Sequence, residues 1–62
     1  MNWSPGEIRM LRKELGDSVE AFARRLSVSG RAVTYWEDGE RRPGGTARVL
    51  FNILQEQLNG RT

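Results

Sequence analysis

Three serines punctuate this chain. Ser4, Ser18 and Ser29 each stand just ahead of a run whose apolar residues recur three and four positions apart. A hydroxyl in that place accepts a hydrogen bond from one of the orphan N–H groups that open a helix. The pattern divides 62 residues into helices of two to four turns, too short to be stable in isolation. Such helices persist only by burying one another's apolar stripes. The chain is therefore restricted to a small helical bundle.

The first helix is the most fully marked. Ser4-Pro5-Gly6-Glu7 is an S-x-x-E capping box with Pro at the first helical position. Trp3 before the cap can staple onto Ile8. Ile8, Leu11 and Leu15 form the buried stripe, and Gly16 is the natural stop. Asp17 or Ser18 opens a second helix with Val19, Phe22, Ala23 and Leu26 on one face and Glu20, Arg24 and Arg25 turned away. Ser27-Val28-Ser29 interrupts it, and Ser29 caps a third helix from Gly30 to about Glu37, ended by Asp38-Gly39. Glu40 to Gly45 reads as a loop. Thr46 is expected to cap a fourth helix carrying Leu50, Phe51, Ile53, Leu54 and Leu58, with Gly60 as its end. No segment alternates with period two. The expected fold is all-α, a compact bundle of four helices with allowance for a fifth, in one domain over residues 1–62.

Composition narrows the function. A chain this small buries only about 60% of the surface it exposes when unfolded, and it contains neither Cys nor His. Disulfides and the common zinc-finger ligand sets are excluded, which leaves tight packing and self-association as sources of stability. No apolar run approaches the ~18 residues of a membrane span, and the N-terminus does not read as a signal peptide. A cytoplasmic location is expected. With no phosphate-cradling glycine loop and no paired carboxylates suited to a pocket, no enzyme, cofactor or metal is expected. The net charge is only +2, but residues 24 to 42 hold five arginines against three acids. Arginine favours planar, bidentate contacts with phosphate or guanine.

The second and third helices have the geometry of a bracing helix and a reading helix. Ala23 permits close approach, Val28 and Val33 fill the angle, and such pairs cross at ~90–120°. A major groove ~12 Å wide admits one α-helix, whose first turns meet the base edges. On the third helix Gly30, Arg31, Thr34 and Tyr35 share one face, while Val33 and Trp36 share the other and are expected in the core.

The stretch EAFARRLSVSGRAVTYWEDGERRP resembles the Cro and lambda-repressor helix-turn-helix family, whose members often read EEFAxxLGVSxxTVSRWExGxRxP. Phe22, Ala23, Leu26, Val28, Ser29, Val33, Trp36, Glu37, Gly39 and Pro43 match in register. SPGEIRMLRKELG is similar to the first helix of these regulators, so the likeness runs from residue 4 to about 54, with the helix-turn-helix at about 18–37. The chain departs from the pattern at three places. Val19 stands where the family usually has a phosphate-bonding Gln, Asp17 where a buried Leu is common, and Ser27 where the turn carries Gly.

The resemblance implies base contacts from Gly30, Arg31, Thr34 and Tyr35. Arg31 would fork onto guanine O6 and N7. Tyr35 would meet a thymine methyl or donate to a phosphate, and Gly30 would let the backbone come close. Phosphate contacts are expected from Ser18, Ser29, Arg41 and Arg42, with Arg24 a weaker candidate. It also implies a structural ion pair between Arg12 and Glu37, since an acid at a helix C-terminus opposes the macrodipole. One such module touches few base pairs, so a homodimer on an inverted-repeat operator is expected. Val49, Phe51, Leu54 and Leu58 of the fourth helix are the candidate dimer surface.

The leading expectation is a small repressor of its own operon, such as a phage or anti-CRISPR operon. A toxin partner is not favoured, because residues 55 to 62 are too few for most toxin-neutralising arms. The alternatives are an antitoxin-type regulator and a protein-interaction module on the same fold.

Overall fold

Each of the three serines caps the helix that follows it. In the computed structural model, which describes residues 3–60, α1 spans Pro5–Glu14, α2 Val19–Leu26, α3 Gly30–Asp38 and α4 Gly45–Asn59. Ser4 Oγ accepts from Glu7 N–H at 3.2 Å, and Glu7 Oε1 accepts from Ser4 N–H at 2.9 Å, completing the capping box. Ser18, not Asp17, caps α2, accepting from Ala21 N–H at 3.0 Å. Ser29 accepts from Ala32 N–H at 3.2 Å. Among the described residues there is no strand and no fifth helix. The outer limits of the expected domain, residues 1, 2, 61 and 62, lie outside the described residues.

The fourth helix corrects the sequence reading. It begins at Gly45 with Gly44 as N-cap, so Thr46 lies inside its first turn and no side chain caps it. Buried Pro43 precedes this start, and Ala47 and Phe51 lock the helix onto the core. Tertiary packing, more than cap chemistry, sets the boundary here.

The first three helices end alike, each over a residue of positive φ. Gly16 (φ 74) and Gly39 (φ 80) close α1 and α3, and Ser27 (φ 58) closes α2. At each end two backbone hydrogen bonds satisfy the last carbonyls: Asp17 N–H to Arg12 O (3.1 Å) with Gly16 N–H to Lys13 O (3.0 Å), Val28 N–H to Ala23 O (3.0 Å) with Ser27 N–H to Arg24 O (3.2 Å), and Glu40 N–H to Tyr35 O (2.9 Å) with Gly39 N–H to Trp36 O (3.3 Å).

The core gathers around Phe51, which is fully buried. Trp3, Phe22 and Trp36 set their ring centroids 5.2, 5.9 and 5.6 Å from it, tilted, stacked and edge-on respectively. Ile8, Leu11, Ala23, Leu26 and Val33 complete the interior, with Leu15, Val19, Val28 and Leu58 partly buried against it. The Trp3 indole N–H donates to Asn52 Oδ1 at 2.9 Å, so burial of the ring leaves no orphan donor. Val33 and Trp36 are core residues as expected.

Two of the residues expected at a dimer surface are instead inside the protomer. Phe51 is 0% and Leu54 8% exposed. The apolar stripe of α4 is wide because one side meets the aromatic cluster. Only Val49 (57% exposed) and Ile53 (45%) are large apolar residues facing outward on this helix, with Leu58 half-buried.

Candidate nucleic-acid interface

α2 packs chiefly on α3, and α1 supports α3 from behind. This leaves one face of α3 free. Arg31 and Thr34 are exposed there, Gly30 and Tyr35 are half-buried, and Val33, Trp36 and Glu37 point into the fold. Gly30, Arg31, Thr34 and Tyr35 therefore lie together on one surface.

Its polar groups are differently engaged. The Thr34 hydroxyl donates to Gly30 O at 3.1 Å, so its proton is spent within the helix and the oxygen is left as an acceptor. Ser18 and Ser29 use their hydroxyl oxygens as caps, which leaves each O–H free to donate outward. The guanidinium of Arg41 lies over the Tyr35 ring, 4.7 Å from its centroid. This cation–π contact ties the loop to the reading face and fixes where both side chains point. Arg24 and Arg42 are exposed, Arg24 in the last turn of α2.

The far end of α3 is fastened from α1. Arg12 forks onto the buried Glu37 carboxylate, and its Nη1 donates to Asp17 O at 3.2 Å. Its hydrogen bond to Glu37, aided by the charge of that carboxylate, raises the Arg12 guanidinium above its ordinary value. Arg9 Nη2 donates to Glu37 O at 3.1 Å, supplying the cation that the last turn of α3 lacks. Asp17, which departs from the Leu common in the resembled family, is satisfied by Arg25: Nε to Oδ2 at 2.8 Å and Nη2 to Oδ1 at 2.9 Å. That hydrogen bond lowers the Asp17 carboxyl below its usual range and raises Arg25.

Arg41, stacked on Tyr35, also lines a cleft of about 780 Å³ whose walls include Trp3, Trp36, Arg42, Pro43 and Arg48, with no carboxylate among its lining residues. The uncapped first turn of α4 follows Pro43. Open helix N–H groups beside arginines suit an anion such as phosphate. Sequence reasoning did not single out Arg48, Arg9 or the Arg25–Asp17 pair. Arg9 and Arg25 bond to residues outside their own helices and Arg48 lines a cleft with residues of other elements, and no short-range spacing signals either.

The family model for the helix-turn-helix matches residues 8–47, from inside α1 to the first turn of α4. The chain belongs to the Cro and lambda-repressor type of the helix-turn-helix family. It carries a DNA-binding regulatory domain of that kind. Antitoxin HigA-2 of Vibrio cholerae serotype O1 is 38% identical over 55 residues, covering 89% of this chain and 53% of the relative. The chain thus spans about half the length of that curated relative. No solved structure matches it. Among the described residues no helix is long and apolar enough to cross a membrane.

Proposed function

We propose that this chain is a sequence-specific, homodimeric repressor that inserts α3 into the major groove of an inverted-repeat operator and represses its own operon from the cytoplasm. The observation that carries the reading is the division of α3. Its buried side is clamped by Val33, Trp36 and the Arg12–Glu37 fork, while Arg31 and Thr34 are exposed in its first turns. A rod held this rigidly presents the same atoms to every duplex, which base readout requires.

Arg31 is assigned to guanine, Tyr35 to a thymine methyl or a phosphate, and Gly30 to close approach of the backbone. The exposed Thr34 oxygen faces the same groove. Ser18, Ser29, Arg24, Arg41 and Arg42 grip phosphates on either side, and Arg48 with the open end of α4 extends the grip. No catalytic role, cofactor or metal is proposed.

Fluorescence anisotropy with a nonspecific duplex tests the electrostatic part. Affinity should fall steeply as salt rises, through counterion release. Affinity indifferent to salt would turn the reading to a protein-interaction module. Selection of duplexes from a random pool tests the rest, with repeated, inverted half-sites as the expected product.

A second reading is favoured by one observation, the likeness to an antitoxin over most of this chain. In that reading the same DNA-binding face regulates a toxin–antitoxin operon, and a toxin is a further partner. Co-expression with the neighbouring reading frame separates the two. A stoichiometric complex that relieves growth arrest supports the antitoxin, and absence of both supports the free-standing repressor.

A further inference from the structure

Gly30, the first residue of α3, has a neighbour that its sequence position does not announce. Glu20, the second residue of α2, reaches across the turn and lays its carboxylate over the Gly30 Cα. A Cβ on Gly30 would lie 3.0 Å from Glu20 Cδ and 3.2 Å from Oε2, with Oε1 closer still. The carboxylate thus occupies the space into which any side chain at residue 30 would project. Residue 30 shares a face with Thr34, one turn on. A negative group therefore stands at the leading edge of the face assigned to DNA.

Two physical facts bear on its presence there. α3 has no acidic residue in its own first turn, so Glu20 supplies from α2 the anion that a helix N-terminus favours. Glu20 is exposed and enters no ion pair among the described residues. Next to a phosphate backbone an unpaired carboxylate is repelled, unless a donor on a base edge meets it. An ionised carboxylate only accepts. In the major groove cytosine N4 and adenine N6 donate, whereas guanine O6 and N7 and thymine O4 accept.

We propose that Glu20 reads sequence in place of the side chain Gly30 lacks, accepting a hydrogen bond from an exocyclic amino group, cytosine N4 foremost. This inference rests on the DNA-reading role given above. Glu20 and Arg31 then form a composite reader, an acceptor from α2 beside a donor from α3. Gly30 is the residue that makes room for it.

Selection from a random duplex pool is run with the native chain, Glu20→Gln and Gly30→Ala, each checked by thermal melting. Glu20 is exposed and Ala is a better helix former than Gly, so both variants should fold. The native chain should prefer cytosine about tenfold or more at one position per half-site. Glu20→Gln should lose that preference or turn it toward adenine, which a Gln amide pairs bidentately. Gly30→Ala, by displacing the carboxylate, should lose the same preference. In Glu20→Gln the guanine position and the salt slope should not move, whereas Gly30→Ala, which adds a methyl where the backbone approaches DNA, should in addition weaken all duplexes. Variants that select the native consensus would overturn the proposal and leave the DNA-reading role standing. So would a uniform gain in affinity for all duplexes, which would make the carboxylate merely repulsive. A native chain that selects no consensus would overturn the DNA-reading role itself, and this inference with it.

Discussion

Arg12 holds Glu37 by two parallel hydrogen bonds, Nε to Oε2 at 2.7 Å and Nη2 to Oε1 at 3.0 Å, and so joins α1 to the last turn of α3. The carboxylate is 7% exposed. Removing Glu37 leaves the partly buried Arg12 guanidinium with only its hydrogen bond to Asp17 O and the Asp17 charge nearby.

Glu37→Ala should therefore lower the melting temperature, by an amount equivalent to ~1–3 kcal/mol. DNA affinity should fall only as the folded fraction falls. Melting curves and anisotropy at a temperature where the variant is still folded check this. A fully stable Glu37→Ala that no longer binds DNA would contradict a structural role for the pair.

Ser27 occupies the left-handed position that Gly16 and Gly39 occupy at the other helix ends. A residue with a Cβ costs ~1–2 kcal/mol in that conformation. Ser27→Gly should stabilise the domain by about 1 kcal/mol, raising the melting temperature by roughly 4–8 °C for a chain of this size. No change or a lower value would mean that the Ser27 side chain contributes an offsetting contact.

Asp17 gives a pH dependence with a definite sign. Its carboxyl is lowered by the hydrogen bond from Arg25, with the charges of Arg25 and Arg12 adding to it. The stabilisation is fully present above the unfolded carboxyl value, 3.8, and is lost as pH falls through the lower folded value. Asp17→Asn should flatten the acid limb of stability below about pH 4 and leave the alkaline limb unchanged. Denaturation midpoints from pH 2 to pH 7 measure the difference, which should stay under ~1 kcal/mol because Arg25 is half-exposed.

Arg31 and Arg42 should fail differently. Arg31→Ala should relax the preference at one position of each half-site, losing ~1–3 kcal/mol against the right base only. Arg42→Ala should weaken all duplexes alike and reduce the salt slope by about one unit. Anisotropy titrations at several salt concentrations, against cognate and scrambled duplexes, separate the two.

In the proposed homodimer, the exposed side of α4 with Val49 and Ile53 is the surface that would carry the contact. Val49→Asp and Ile53→Asp should shift the protein to monomer in gel filtration with light scattering, at little cost in protomer stability. Phe51→Ala should instead unfold it, at ~3–5 kcal/mol. Unaltered mass in both Asp variants would move the interface elsewhere.

Caps, helix starts and the apolar stripes of α1 to α3 were legible because they depend on residues a few positions apart. Ser4, Ser18 and Ser29 all act where spacing put them. The Arg12–Glu37 pair came from family likeness, since nothing in its separation of 25 positions signals contact. Phe51 and Leu54 could not be told from surface residues, because an apolar stripe gives its width but not what covers each edge. Thr46 looked like a cap, yet docking of Ala47 and Phe51 started the helix earlier. The Glu20 carboxylate over Gly30 was invisible because it joins two helices through a turn whose shape depends on Ser27.

The meeting of Trp3, Phe22 and Trp36 on the single ring of Phe51 has a dynamic consequence. Each ring comes from a different segment, so displacing Phe51 strips a partner from each of the other three. Amide hydrogens at Phe22, Val33 and Phe51 should exchange together, at the rate of whole-molecule opening. The two indoles should report that same event in fluorescence, giving this small protein one cooperative melting unit and an optical probe already built into it.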